Sequence, residues 1–439
     1  MGVASRLLST ISKKTIKPFS PTPSTQRLHK LCLPGQAFTP NHIPLVFFYP
    51  KQQVDTIFPN GHKQQLSKFL EISLSKTLTC YYPWAGRLKD NATVECNDVG
   101  AEYFEVQINS SMDEVLHHSD SRIKDLVTFP QGAPWGSCTD RALAIAQLSH
   151  FECGGIAISI CLSHKVGDGC SCYWFLRDWA SLTRDPNTKI ASSPYFVEDS
   201  IIPSPLPDGP LVSPVSKKKQ ECIEKTFDFS ALKLSALKAF VEAESGVQNP
   251  TRNEVVNALV YKCAANAASI HQSHQLVQYS NIRQSVSPPL PPTSIGNLLT
   301  VFSTPIYSSS REGDFNLSKV VSDIRNSKQK LLSIDIIKEN EWALEILNAY
   351  KTGKGTFQQR NCDVYVCTSL CQFPFQDLDF GWGKPSRARL GGHFISKYFS
   401  LISTHDRGIQ ASVHLNEQQM SVFEKDEHLL RFATPTGQD

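Results

Sequence analysis

Imidazole is the side chain best suited to taking and returning a proton near neutral pH, because its unperturbed pKa is about 6.5. The chain has 439 residues and 13 histidines, and one of those histidines stands apart by its surroundings. The run Ile156 to Ser163 reads as a strand and stops at His164, after which Gly167 and Gly169 free the turn. Tyr173, Phe175, Leu176, Trp179 and Leu182 then recur at helical spacing. A strand that hands over to a helix presents its last side chain to a cleft, so His164 is the candidate general base. Asp168 orients the loop, either by contacting His164 or by pairing with a cation elsewhere. A lone His-x-x-x-Asp also arises by chance in a chain of this size, so its context weighs more than its spacing.

A second feature is Asp379-Phe-Gly-Trp-Gly383, preceded by Thr368-Ser369-Leu370. Asp-Phe-Gly occurs in protein kinases, but the Gly-rich loop and the His-Arg-Asp loop that must accompany it are missing. A Gly-x-Ser-x-Gly elbow and a phosphate-binding loop ending in Lys-Ser or Lys-Thr are missing as well, which removes the common serine hydrolases and P-loop enzymes. Read physically, Asp379 to Gly383 is a tight turn with Trp382 packed as an anchor.

The elements that must carry these residues fall into three zones. The first, residues 1–185, holds strands at Leu45–Tyr49, Ala142–Leu148 and Ile156–Leu162. It also holds a helix over Gln64–Leu78 with Leu66, Phe69, Leu70, Ile72 and Leu74 at three- and four-residue steps. The second, residues 186–219, is rich in proline and serine, reads as an extended crossover and ends in Lys217-Lys218-Lys219, a solvated run. The third, residues 220–439, again mixes helices and strands. Thr251-Arg252-Asn253-Glu254 is a capping box that opens a helix through Val255, Val256, Leu259 and Val260. Pro288-Pro-Leu-Pro-Pro292 forces another extended stretch.

Composition narrows the function. The net charge of +3 gives no basic stripe, which excludes nucleic acid as a partner. No apolar run approaches the roughly 18 residues of a membrane span. Thirteen cysteines without paired metal-ligand spacing read as reduced thiols, with no zinc site. The opening Met1 to Pro18 is basic and free of acid, which resembles a transit peptide; a frayed cytosolic start is the preferred reading, with the chain a cytoplasmic monomer.

Taken together, His164-Lys-Val-Gly-Asp168-Gly169 and Asp379-Phe-Gly-Trp-Gly-Lys-Pro385 resemble the paired motifs of the BAHD acyl-CoA-dependent acyltransferases of plant specialised metabolism. The likeness continues at Ile16 to Pro23, Tyr82 to Leu88, Asn281-Ile-Arg283 and Gly296-Asn297, and covers about Thr15 to Phe432. Asp90 to Asp98 and Asn249 to Arg252 are similar to the branch that holds vinorine synthase, capsaicin synthase and the nightshade acylsugar acyltransferases.

The resemblance implies an α/β fold of two similar chloramphenicol-acetyltransferase-like domains with mixed sheets, a long crossover and an active-site channel between them. It implies acyl-CoA as co-substrate with no bound cofactor, and a small hydroxylated molecule, an acylsugar or alkaloid-like one, as acceptor. Amide formation on an amine and a catalytically inactive binding homologue are the alternatives. His164 would activate the acceptor directly, without an acyl-enzyme. Asp168 would face away from it and pair with Arg283, while Asp379, Gly381, Trp382 and Gly383 support the site from a distance. Thr368 matches the family's oxyanion-side threonine, although Leu370 stands where the family has tryptophan. Thr251 and Arg252, at a helix N-terminus, are the candidates for CoA phosphates.

Overall fold

The computed structural model describes residues 7–38, 40–58, 63–118, 121–128, 141–188, 190, 193–199, 201–202, 222–245, 247–268, 273–308, 315–332, 343–344, 362–392 and 396–436. The prolines from Pro203 to Pro214, the Lys217–Lys219 run and the first six residues lie outside that set.

Five strands of the first zone, β1 (Leu8–Ile16), β2 (His42–Tyr49), β3 (Ala101–Ile108), β4 (Ala144–Phe151) and β5 (Ile156–Ser163), form one mixed sheet in the order β1-β3-β4-β5-β2. Only β3 and β4 run parallel; the other neighbours are antiparallel. β2, β4 and β5 are buried along their whole length, β4 even at its polar Gln147, Ser149 and His150. β1 corrects the expectation of a frayed start. It is an edge strand whose Lys13 and Lys14 reach Glu102 (3.5 Å) and Glu71 (2.6 Å), and charged lysines on an edge discourage further strand pairing.

The expected helix is α2 (Lys63–Cys80), following the short α1 (Leu33–Ala37). Its core face is narrower than the sequence suggests. Leu66, Leu70, Leu74 and Leu78 are buried, whereas Phe69 and Ile72 are 36% and 40% exposed. A four-residue step holds one stripe against the neighbouring α3 (Gly169–Arg184), and those two positions fall outside it.

Downstream come β6 (Tyr195–Phe196), β7 (Ile223–Phe229), α4 (Ala231–Ser245), α5 (Arg252–Asn266), β8 (Ser273–Asn281), β9 (Ser294–Ile295), β10 (Leu299–Ser303), α6 (Leu317–Leu332), β11 (Cys362–Ser369), β12 (Arg387–Leu390), β13 (Tyr398–Ser403), β14 (Ile409–Leu415) and β15 (Thr434–Pro435). The second mixed sheet has the order β10-β8-β11-β13-β14-β7-β15. The fold is therefore α/β, built on two mixed sheets, each with its own apolar core.

Sheet membership does not follow the three zones. β12 pairs antiparallel with β2 and closes the edge of the first sheet. Phe375, Leu378, Phe380 and Trp382 likewise belong to the first core. In the crossover zone β6 pairs in parallel with β9, which ties that zone to the segment leading into Asn297. The Pro288–Pro292 stretch contains neither helix nor strand, as its prolines require.

Candidate functional site

β5 ends at Ser163 and α3 begins at Gly169, so the turn between them is His164 to Asp168. The His164 amide donates to the Asn41 carbonyl (2.8 Å), and the side chain is partly exposed. Asp168 is the N-cap of α3 and accepts from the Ser171 amide (2.9 Å). Gly167 and Gly169 serve closeness and not turn freedom, since neither has a positive φ, and Gly167 is the more tightly enclosed of the two. A Cβ on Gly167 would sit 2.6 Å from the Ser171 Cβ, and one on Gly169 would sit 2.7 Å from a Leu370 methyl.

Asp168 does not contact His164. Its carboxylate accepts from Arg283 twice, at 2.8 and 2.9 Å, and also from the Ser171 hydroxyl (3.0 Å) and the Leu298 amide (3.1 Å). Arg283 spends its remaining donors on the Ser294 carbonyl, the Asn281 side-chain oxygen and the Gly296 carbonyl. Both partners are buried, at 3% and 2% exposure. Burial alone would raise the Asp168 carboxyl, but the Arg283 charge and these hydrogen bonds together hold it below the ordinary carboxylate range. The pair clamps the turn of the first zone to the Arg283–Leu298 segment of the third.

Asn297 sits on that segment and sets the tautomer of His164. Its Nδ2 donates to the carbonyls of His164 (2.6 Å) and Lys165 (3.2 Å), so its Oδ1, 3.0 Å from His164 Nδ1, is the acceptor. Nδ1 must then carry the hydrogen, and Nε2 presents its lone pair. Among the described residues Nε2 has no hydrogen-bond partner. Burial lowers the His164 pKa, and the smaller opposing pulls are its own backbone hydrogen bond, the Asp168 charge and Asn297. The imidazole is thus neutral at neutral pH, with a free basic nitrogen.

The sequence showed Asn297 only as part of a matching block, not as a site residue. Asn297→Ala forfeits three hydrogen bonds, two from Nδ2 to the turn carbonyls and the one at Nδ1; the last, worth about 0.5–1.5 kcal/mol, is the one that bears on the base. The expected result is a kcat lower by about two- to tenfold, with KM for acyl-CoA unchanged, in steady-state kinetics.

Lys165 is fully buried, and no local pattern in the sequence marks it. Its ammonium donates to the Gln36 carbonyl and the Asn91 side chain, both at 2.9 Å, and so binds the turn to α1 and to the Asp90–Asp98 block.

Asp379 accepts from the amides of Gly381 (2.7 Å) and Gly383 (2.9 Å). Those glycines have φ of 122° and 104°, which side chains other than glycine rarely adopt. Trp382 packs edge-on to Tyr49 (5.8 Å) and Phe58 (6.0 Å) and stacks with Phe380 (5.9 Å). These residues touch α3 at its far end, through Arg184 to the Asp379 carbonyl (3.2 Å), and none of them contacts His164.

Thr368 is the penultimate residue of β11, where it pairs with Ser400 of β13, and its side chain lies near the phenol of Tyr398. No hydrogen bond joins Thr368 to His164. Leu370 fills the space over Gly169 instead of offering an indole donor.

The Thr251 capping box forms as read: the hydroxyl accepts from the Glu254 amide (3.2 Å), and Glu254 accepts from the Thr251 amide (2.7 Å). That hydroxyl is therefore engaged in the cap, and Glu254 is further paired with Arg325 (2.8 Å). Arg252 turns the other way and donates to the Arg407 carbonyl. It lines a groove of about 570 Å³ with Arg407, His405, Lys384 and Gln376. Thr251 is not in that lining.

The described cysteines are all free thiols. Among the described residues no group of His, Cys, Asp and Glu could hold a metal ion, and no helix is long and apolar enough to cross a membrane.

The family model described as Transferase family matches residues 7–430. Acyltransferase Pun1 of Capsicum frutescens is 42% identical, with 98% of this chain and 99% of that protein covered. The chain belongs to the BAHD acyltransferases. Acylsugar acyltransferase 3 of Solanum lycopersicum is 35% identical over 97% of each chain. The crystal structure of vinorine synthase matches with a TM-score of 0.81 at 28% identity, covering 97% of this chain and 98% of that one. The two mixed sheets described above are thus the two-domain BAHD fold, and the chain is an acyltransferase of the branch its motifs indicated.

Proposed function

We propose that this BAHD enzyme transfers an acyl group from a CoA thioester to a hydroxyl of a small molecule, an acylsugar or alkaloid-like acceptor, with His164 as the general base. The observation that carries the proposal is the free Nε2 lone pair of His164, created by the Asn297 acceptor on Nδ1. Nε2 takes the acceptor proton while the acceptor oxygen attacks the thioester carbonyl. The C–O bond forms, the C–S bond breaks, and the proton on Nε2 passes to the departing sulfur. A thiolate of this type has a conjugate-acid pKa near 8.5, so it leaves without a strong acid.

Asp168 and Arg283 hold the turn in shape and do not relay protons. Asp379 to Gly383 holds the far end of α3. Thr368 and the nearby Tyr398 offer hydroxyl donors to the tetrahedral oxyanion. The groove at Arg252 suits the CoA phosphates, because Arg252 and Arg407 bring positive charge to the N-terminus of α5. Thr251 serves there through its cap, by fixing the start of the helix.

A panel of sugar, alcohol and amine acceptors, each offered with acetyl-CoA and longer acyl-CoAs, tests the reading. Ester products are expected, and transfer to amines alone would overturn the O-acyl assignment. Arg252 is exposed, so its contribution is small. Arg252→Ala is expected to raise KM for acyl-CoA by about two- to fivefold with kcat unchanged. The effect should shrink as salt is added, because exposed charges are screened.

A further inference from the structure

Asn297 fixes one edge of the His164 ring, and Phe38 covers one face. The Phe38 and His164 rings are stacked, with centroids 4.0 Å apart and planes 10° from parallel. Phe38 is held in place on several sides. It is the C-cap of α1, whose residues are all buried, and its amide donates to the Pro34 carbonyl (3.3 Å). Tyr279 of β8 stands 6.5 Å from its ring, and Phe38 packs against a cluster that includes Ile282 and Leu298. The ring is therefore anchored by both the first and the third zones.

Any apolar side chain of the right size could fill this space. A flat aromatic face does something more, because its π cloud attracts a cation lying over it more strongly than it attracts the same ring when neutral. His164 changes from neutral to cationic as it takes the acceptor proton. We propose that Phe38 is a positioning residue that fixes the plane of the His164 imidazole and stabilises the imidazolium formed in the transition state. The inference rests on His164 being the base. An interaction that strengthens as charge develops raises kcat without tightening ground-state binding, here by up to about tenfold.

The charged and polar groups around the imidazole are held by partners other than Phe38. Lys165 and Asp168 act from its own turn, the latter already paired with Arg283. Cys32 of the segment leading into α1 is kept as a neutral thiol by burial. Tyr279 lies beyond Phe38, and Asn297 faces Nδ1.

The stack favours the protonated ring, so losing it lowers the His164 pKa. A titration of the full chain carrying carbon-13-labelled histidine reads that value directly, the His164 signal being the one absent from His164→Ala. Phe38→Leu is expected to lower it by about 0.5–1 pH unit. Phe38→Tyr keeps the aromatic face and should restore it. Plateau kcat should follow the same order with acetyl-CoA and the fastest alcohol of the acceptor panel.

If Phe38→Leu fails to fold, pentafluorophenylalanine at position 38 keeps the shape and reverses the charge of the ring face. It is expected to lower both the pKa and kcat. Either variant showing the wild-type pKa and plateau kcat overturns the role of Phe38 while leaving the base intact. Full acyl transfer by His164→Ala would instead overturn the base itself.

Discussion

His164→Ala is expected to lower kcat for acyl transfer by about 10²- to 10⁴-fold, the range that a positioned general base contributes. The loss falls on kcat and kcat/KM together, because the proton transfer belongs to the transition state and not to substrate binding. The variant is expected to fold. The His164 backbone amide still donates to Asn41, and the Asp168–Arg283 clamp does not involve the imidazole. Burial holds the His164 pKa below its ordinary 6.5, so wild-type kcat/KM rises along an acid limb below pH 6.5 and is flat at neutrality. The alanine variant lacks that limb. Activity within about threefold of wild type, on a folded protein, would rule out the general-base role.

The site was legible in the sequence where local pattern carries it. A strand ending at His164, followed by helical spacing from Tyr173, is a short-range signal, and the structure reproduces it within a residue at the β5 end. The capping box at Thr251 was equally local. Its own logic, a hydroxyl facing the Glu254 amide, already implied that the hydroxyl was taken. What the pattern could not supply were residues brought in from a distance. Asn297 lies 133 positions from His164, and Phe38 reaches it from the end of a five-residue helix. Neither has a periodicity or spacing that marks it.

The same limit explains β12 and β1. β12 joins the first sheet from the third zone because the fully buried β2 needs a partner on its open edge, and edge pairing leaves no trace in local sequence. β1 reads as a basic tail because it is an edge strand that exposes most of its side chains. The Asp379–Gly383 motif reads in the sequence as a turn with a Trp anchor. That it locks into the core of the other sheet became visible only when Tyr49 and Phe58 were seen against Trp382.

The second large effect belongs to Asp168. Asp168→Ala leaves the Arg283 guanidinium buried without its counter-charge, which costs about 3–5 kcal/mol. The unfolding midpoint in urea should fall accordingly, and Asp168→Asn, which keeps an oxygen for the Ser171 amide, should fall between. The sign of the pH dependence is fixed by the depressed carboxyl. Asp168 titrates lower in the folded chain than its unfolded value of about 3.9, so its stabilisation is complete above that value. It is lost as pH falls through the folded value. The gap between wild type and Asp168→Ala is thus constant from pH 5 to 8 and narrows in acid.

The measurement also separates a brace from a relay. A relay partner that oriented His164 would, when changed to Asn, cost kcat with little loss of stability. A brace costs stability first, and activity follows as the turn carrying His164 loosens. The two bonds from Arg283 to Asp168, with none from Asp168 to His164, call for the brace. An Asp168→Asn protein as stable as wild type but inactive would reverse that assignment.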